Sequence, residues 1–155
     1  MDDQKILIPY NFTNYDQKAL DFVIRTFSKS ENIEITLFNA YMPGPKIDER
    51  EAPIMKKMHA SLNYLYTKIK EQEVFLNQAK QKLVLKGFAG SQIKTIFRPR
   101  KKDIPGEIID LAIEGKFNII VTNRKPGKVV KRFFTESIFK KVINSLSDKI
   151  VCVVS

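Results

Sequence analysis

With only one cysteine (Cys152), one histidine (His59) and no tryptophan in 155 residues, the chain lacks the parts for several chemistries. A lone thiol forms no intrachain disulfide. A lone imidazole with no second ligand or acid at i+3 or i+4 builds neither a zinc site nor an acid–base pair. Cys152 lies in the apolar run IVCVVS, which predicts a buried, inert thiol, and His59 reads as a surface or groove residue. Glycine is scarce, and its 6 positions spell no GxxxxGK(S/T), GxGxxG or GxSxG motif. No apolar stretch approaches the roughly 18 residues of a membrane span. The opening MDDQKILIPY places acidic residues before a short apolar run, which predicts no secretion signal and a cytoplasmic location.

What remains is a soluble, globular composition: 43% hydrophobic and 28% charged residues, the size of a single domain over 1–155. Its net charge of +10 is uneven. Residues 1–77 carry 10 Lys/Arg against 11 Asp/Glu, whereas residues 78–155 carry 17 against 6. A basic half attracts nucleic acid or phosphorylated ligands through long-range fields, and it also keeps a protein in solution.

Hydrophobic periodicity orders the chain. KILIPY is a strand ended by Pro9; Thr13 and Asp16 have capping-box spacing ahead of Ala19, Leu20, Val23, Ile24 and Phe27 at helical spacing. IEITLFNAY is a second strand, and the Pro-rich MPGPKIDEREAP a loop. Met55, Met58, Leu62, Leu65, Ile69, Leu76, Ala79 and Leu83 mark one face of a long helix stopped by Gly87. QIKTIFR is a third strand, followed by a basic loop, RPRKKD. Asp103 caps a helix with Pro105 in its first turn, and Gly115 ends it. Along that helix Asp103, Glu107, Asp110 and Glu114 read as a cap and a solvated stripe. FNIIVTN is a strand buried on both faces, residues 137–146 a fourth helix and KIVCVVS a fifth strand. Strict βαβαβαβαβ alternation predicts a parallel sheet with helices on both faces and a ligand site beyond the carboxyl ends of its strands.

Several of these segments have family counterparts. KILIPYNFTNYDQKALDFVI is similar to the opening strand, Pro-x-Asp turn and first helix of the universal stress protein (UspA-like) family, and ITLFNAY to its second strand. DIPGEIIDLAIEGKFNIIVTNR resembles the segment before the family's nucleotide loop, and the closing apolar strand resembles its last. The resemblance spans essentially the whole chain. It implies a five-stranded parallel sheet in the order 3-2-1-4-5, Rossmann-like and adenine nucleotide alpha hydrolase-like, with strands one and four together at the switch point. It also implies a homodimer through the C-terminal strand.

Some members of that family bind ATP, using a loop written Gly-x2-Gly-x9-Gly-(Ser/Thr) and an aspartate after the first strand. The resemblance carries cofactor-binding positions onto Pro9, Asn11, Ala40, Asn123, Gly127, Ser137 and Ile138. With Ser137 on the family's serine, Asn123, Pro126 and Glu136 stand at the three glycine positions and Asn11 at the aspartate. Slipping the loop by one residue puts Gly127 at the middle glycine, but then Arg124 replaces the first glycine and Ile138 the serine. Neither register restores the motif.

These departures have physical meaning. Glycine permits positive φ and close approach of amides to phosphate oxygens. Pro126 has no amide hydrogen to donate, and Glu136 would repel a phosphate placed beside it. Lys125, Lys128, Lys131 and Arg132 offer charge-assisted contacts in place of lost amides. The sequence therefore points first to a cytoplasmic, non-catalytic stress-response protein that does not hold ATP in the family's usual pose. For such a protein no cofactor is expected; ATP or another adenine nucleotide, or another small anion, is the ligand class to test. A second reading is a basic module for nucleic acid or a nucleotide-like anion, and an enzyme on the same fold is the least supported. No catalytic residues and no metal ligands are assigned. IVCVVS, long and uncharged, is an edge strand that normally pairs or is covered, which agrees with the dimer.

Overall fold

The computed structural model describes residues 3–44, 52–123 and 141–155. Five strands form one sheet: β1 (Gln4–Pro9), β2 (Ile33–Tyr41), β3 (Ile93–Pro99), β4 (Ile119–Asn123) and β5 (Ile150–Val154). All pairings are parallel, in the order β3-β2-β1-β4-β5. The connections carry α1 (Asp16–Phe27), α2 (Ala52–Leu85) and α3 (Ile104–Glu114), and residues 141–145 are helical. The strand order implied by the family resemblance is the one observed.

Successive strand side chains point to opposite faces, so each central strand feeds two cores. On one face Ile6, Ile8, Ile35, Leu37, Ile119 and Val121 meet Ala19, Leu20 and Val23 of α1 and Leu76, Ala79 and Leu83 of α2. On the other, Leu7, Phe38 and Ile120 meet Ile108, Leu111 and Ala112 of α3 together with Val142 and Leu146. Each fully buried leucine or isoleucine contributes about 1.5–3 kcal/mol relative to an exposed one. A strand apolar at consecutive positions, such as Ile6-Leu7-Ile8, therefore belongs in the middle of this sheet, where β1 lies.

Helix α2 has 34 residues and is about 51 Å long. Among its described side chains Leu62, Leu76, Ala79 and Leu83 are buried, while Tyr64, Tyr66, Val74 and Phe75 are exposed; Met55 and Met58 lie outside the described side chains. Gly87 at φ +119° turns the chain after α2, and the Phe88 amide reaches back to the Leu83 carbonyl at 3.2 Å, which seats the Phe88 ring in the core. Asp103 caps α3 as its position predicts, accepting from the Gly106 amide at 3.0 Å, with Pro105 in the first turn where a missing amide hydrogen is tolerated.

Three expectations are corrected. The fifth strand lies at the sheet edge with Ile150 and Val153 exposed, so Cys152 is half-buried rather than buried. Glu107 is buried, not part of a solvated stripe. The Thr13–Asp16 pair forms only half of a capping box: the Asp16 carboxylate accepts the Thr13 amide, but the Asp16 amide bonds the Thr13 carbonyl rather than its hydroxyl, and the residue before α1 is Tyr15. The fourth helix is described only from residue 141, and the segment 124–140, which holds Gly127, Ser137 and Ile138, lies outside the described residues.

Candidate functional site

The turn between β1 and α1 is organised by one carboxylate. Asp16 is 1% exposed. It accepts the Thr13 amide at 2.8 Å and the Asn11 amide at 3.2 Å, and Nδ2 of Asn123 donates to it at 2.7 Å. Phe12, between those amides, has φ +60°, a conformation that costs a non-glycine residue roughly 1–2 kcal/mol. The converging amides offset that cost by surrounding an anion with donors. Burial nevertheless dominates the titration and pushes the Asp16 carboxyl above its ordinary value, against the lowering effect of its hydrogen bonds.

Beyond this turn, at the carboxyl ends of the strands, lies a cleft of about 460 Å³. Pro9 ends β1, Ala40 is near the end of β2 and Asn123 ends β4; with Asn11 they line this cleft. Four of the seven positions carried over from the family resemblance are thus brought together, and the other three fall outside the described residues. The lining is largely apolar and aromatic and includes Phe12, Tyr15, Tyr41 and Met42 with Ile104 and Ile108 of α3. Gln72 of α2 also reaches it. Asn123 donates one Nδ2 hydrogen to Asp16, and its side chain fills space that a glycine would leave open.

The β3–α3 loop forms the far rim, and a buried acid holds it in place. Glu107 accepts the Lys101 amide at 2.6 Å and the Lys102 amide at 3.0 Å, and Arg98 stands 3.6 Å from its other oxygen. Burial raises the Glu107 carboxyl, but the two amides and the Arg98 charge outweigh it and hold the group below its ordinary value. Lys102 pairs with Asp110 at 2.6 Å and Lys141 with Asp103 at 3.6 Å. The basic loop read from the sequence therefore has much of its charge neutralised by α3. Arg100 differs. It lines the cleft, and among the described residues its guanidinium has no carboxylate partner, while its amide donates to the Tyr41 carbonyl at 2.8 Å.

Solved structures share this architecture. The chain superposes on universal stress protein UspA from Lactobacillus plantarum with a TM-score of 0.69 and 14% identity, over 100% of this chain and 99% of that one. The chain has the universal stress protein fold. A second protein with this fold, the universal stress protein from Archaeoglobus fulgidus in complex with dAMP, matches with a TM-score of 0.65 and 16% identity over 100% of both chains. The hypothetical protein MJ0577 matches with a TM-score of 0.65 and 27% identity, over 97% of this chain and 94% of that one. By sequence alone the chain matches no family model and no curated protein. Among the described residues no helix is long and apolar enough to cross a membrane, and no cluster of His, Cys, Asp or Glu is placed to hold a metal ion.

Within the stress-protein fold, three residues that matter to the cleft escape sequence reading: Asp16, Glu107 and Arg100. The Thr-x-x-Asp spacing marks Asp16 as a helix-start residue but not as the acceptor of Asn123. Glu107 sits on a charged helical face that looks solvated until the Lys101 and Lys102 amides are placed against it.

Proposed function

We propose that this protein is a non-catalytic stress-response protein that binds a small adenine-nucleotide-type ligand in the cleft at the carboxyl ends of β1, β2 and β4, without holding ATP in the family's usual pose. The observation that carries this reading is the convergence of Pro9, Asn11, Ala40 and Asn123 on one cleft of about 460 Å³, a volume within the ordinary range for small-ligand sites. The presence of dAMP in the Archaeoglobus fulgidus complex supports the ligand class. The altered loop rests on the sequence: Pro126 removes a donor and Glu136 adds a repelling charge where phosphate would lie. In the described part of the site, Nδ2 of Asn123 donates to Asp16.

Residues that would hold the base and sugar are Asn11, Ala40 and Tyr41 at the strand ends, with Ile104 and Ile108 of α3 excluding water. The reading assigns binding, not turnover. The protein acts as a homodimer in the cytoplasm, and β5 is its proposed interface because Ile150 and Val153 are exposed on an edge strand. Equilibrium titration with AMP, ATP and cyclic AMP, each with and without magnesium, tests the reading. Binding of AMP with weak, magnesium-independent ATP binding supports it. Tight magnesium-dependent ATP binding lost on substitution of Ser137 would overturn the altered-loop part.

A further inference from the structure

The cleft is electrically lopsided. Among the described residues that line it there is one charged side chain, Arg100, and no aspartate or glutamate. Of the neighbouring cations in the same loop, Arg98 faces Glu107 and Lys102 faces Asp110, and Lys101 does not line the cleft. Arg100 is half-buried and has no carboxylate partner among the described residues, and a guanidinium so placed is a strong attractor for a carboxylate or phosphate, which it meets with two parallel hydrogen bonds.

Its placement is also rigid. The Arg100 amide is bonded to the Tyr41 carbonyl, continuing the β2–β3 ladder by one step past Pro99. The next two amides, of Lys101 and Lys102, are held by the buried Glu107 carboxylate. The residue is therefore bracketed by backbone bonds on both sides, which lowers the entropy that a clamp loses on closing over a ligand.

We infer that Arg100 is the anion-recognition residue of the cleft, so that a bound nucleoside monophosphate directs its phosphate to the β3–α3 rim rather than to the loop following β4. This inference rests on the cleft being the ligand site. Glu107 serves it as a positioning residue. The apolar lining residues Tyr41, Met42, Ile104 and Ile108 take the base.

The test is calorimetric titration of AMP and of adenosine, its uncharged counterpart, into four forms of the full chain. These are the wild type, Arg100→Met, Arg100→Lys and a Lys125→Ala/Lys128→Ala double variant in the segment after β4. The wild type should prefer AMP over adenosine by about tenfold or more, the size of one charge-assisted bidentate contact. Arg100→Met should lose that preference with adenosine affinity unchanged, Arg100→Lys should keep part of it, and the double variant should keep it whole. A preference that survives Arg100→Met and is lost in the double variant overturns the inference and leaves the cleft as the ligand site. Equal binding of AMP and adenosine by the wild type does the same. Failure of both ligands to bind the wild type overturns the cleft reading and this inference together. Unchanged melting of Arg100→Met confirms that its lost preference is not lost folding, and partial retention by Arg100→Lys decides the matter if Arg100→Met melts early.

Discussion

Nδ2 of Asn123 donates a 2.7 Å hydrogen bond to Oδ1 of Asp16 and so clips the end of β4 to the first turn of α1, 107 residues away in sequence. Asn123 stands where the family resemblance implies a glycine. Reverting it to that glycine would open space in the cleft and deprive a buried carboxylate of a donor. Asn123→Gly is expected to cost about 1–3 kcal/mol of unfolding free energy in urea denaturation, as for other buried polar groups that lose a partner. An unchanged midpoint would mean that the clip contributes nothing.

Asp16 itself predicts an unusual pH dependence. Its carboxyl is raised above the ordinary 3.8, so the folded state binds a proton more readily than the unfolded one. Its contribution to stability is complete below that ordinary value and decreases as pH rises from there through the folded value. Unfolding measured from pH 3 to 7 in wild type and Asp16→Asn should show the wild-type advantage shrinking as pH rises across this window. A gap that widens with pH would contradict burial as the dominant influence on the group.

Glu107 predicts the opposite slope. Its carboxyl lies below the ordinary 4.5, so its stabilisation is complete above that value and is lost as pH falls through the folded one. Glu107→Gln should cost about 1–3 kcal/mol near neutrality, because one oxygen that accepts two amides is replaced or reoriented, and the difference should close in acid. Equal stability of the two proteins at pH 7 would remove Glu107 as the anchor of the β3–α3 loop.

The exposed edge offers a test of assembly. Val153 is 41% exposed on β5, and a lysine there would place charge on any strand or sheet edge that covers it. Sedimentation should show a dimer for the wild type and a monomer for Val153→Lys at micromolar concentration. A monomeric wild type would contradict the proposed interface.

Much of the frame was legible because hydrophobic period and turn chemistry are local. IEITLFNAY coincides with β2 residue for residue, and Asp103 with Pro105 marks the start of α3. The strand order came from family resemblance, since alternation alone says that a sheet is parallel but not which strands are neighbours. The site was legible only in part. Pro9, Asn11, Ala40 and Asn123 could be assigned by position, but whether an acid is solvated or held by a distant amide depends on contacts between elements. So it was with Asp16 and Glu107. Within RPRKKD, sequence shows a run of cations and cannot tell that Arg98 and Lys102 are paired while Arg100 faces the cleft. Cys152 was misjudged for a related reason: an apolar run looks the same at the centre of a sheet and at its edge.

The position of β1 also sets a timetable for folding during synthesis. Its partner β2 follows within a few dozen residues, but its other flank is closed by β4, where the Lys5 amide bonds Oδ1 of Asn118 across 113 residues. At a ribosomal pace of roughly 5–20 residues per second, that flank waits on the order of ten seconds for its neighbour to be made. Through that interval Ile6, Leu7 and Ile8, the most apolar stretch of the strand, are covered on one side only. The newborn chain is thus most exposed to mispairing at its first strand, and a chaperone that engages it would find its target there.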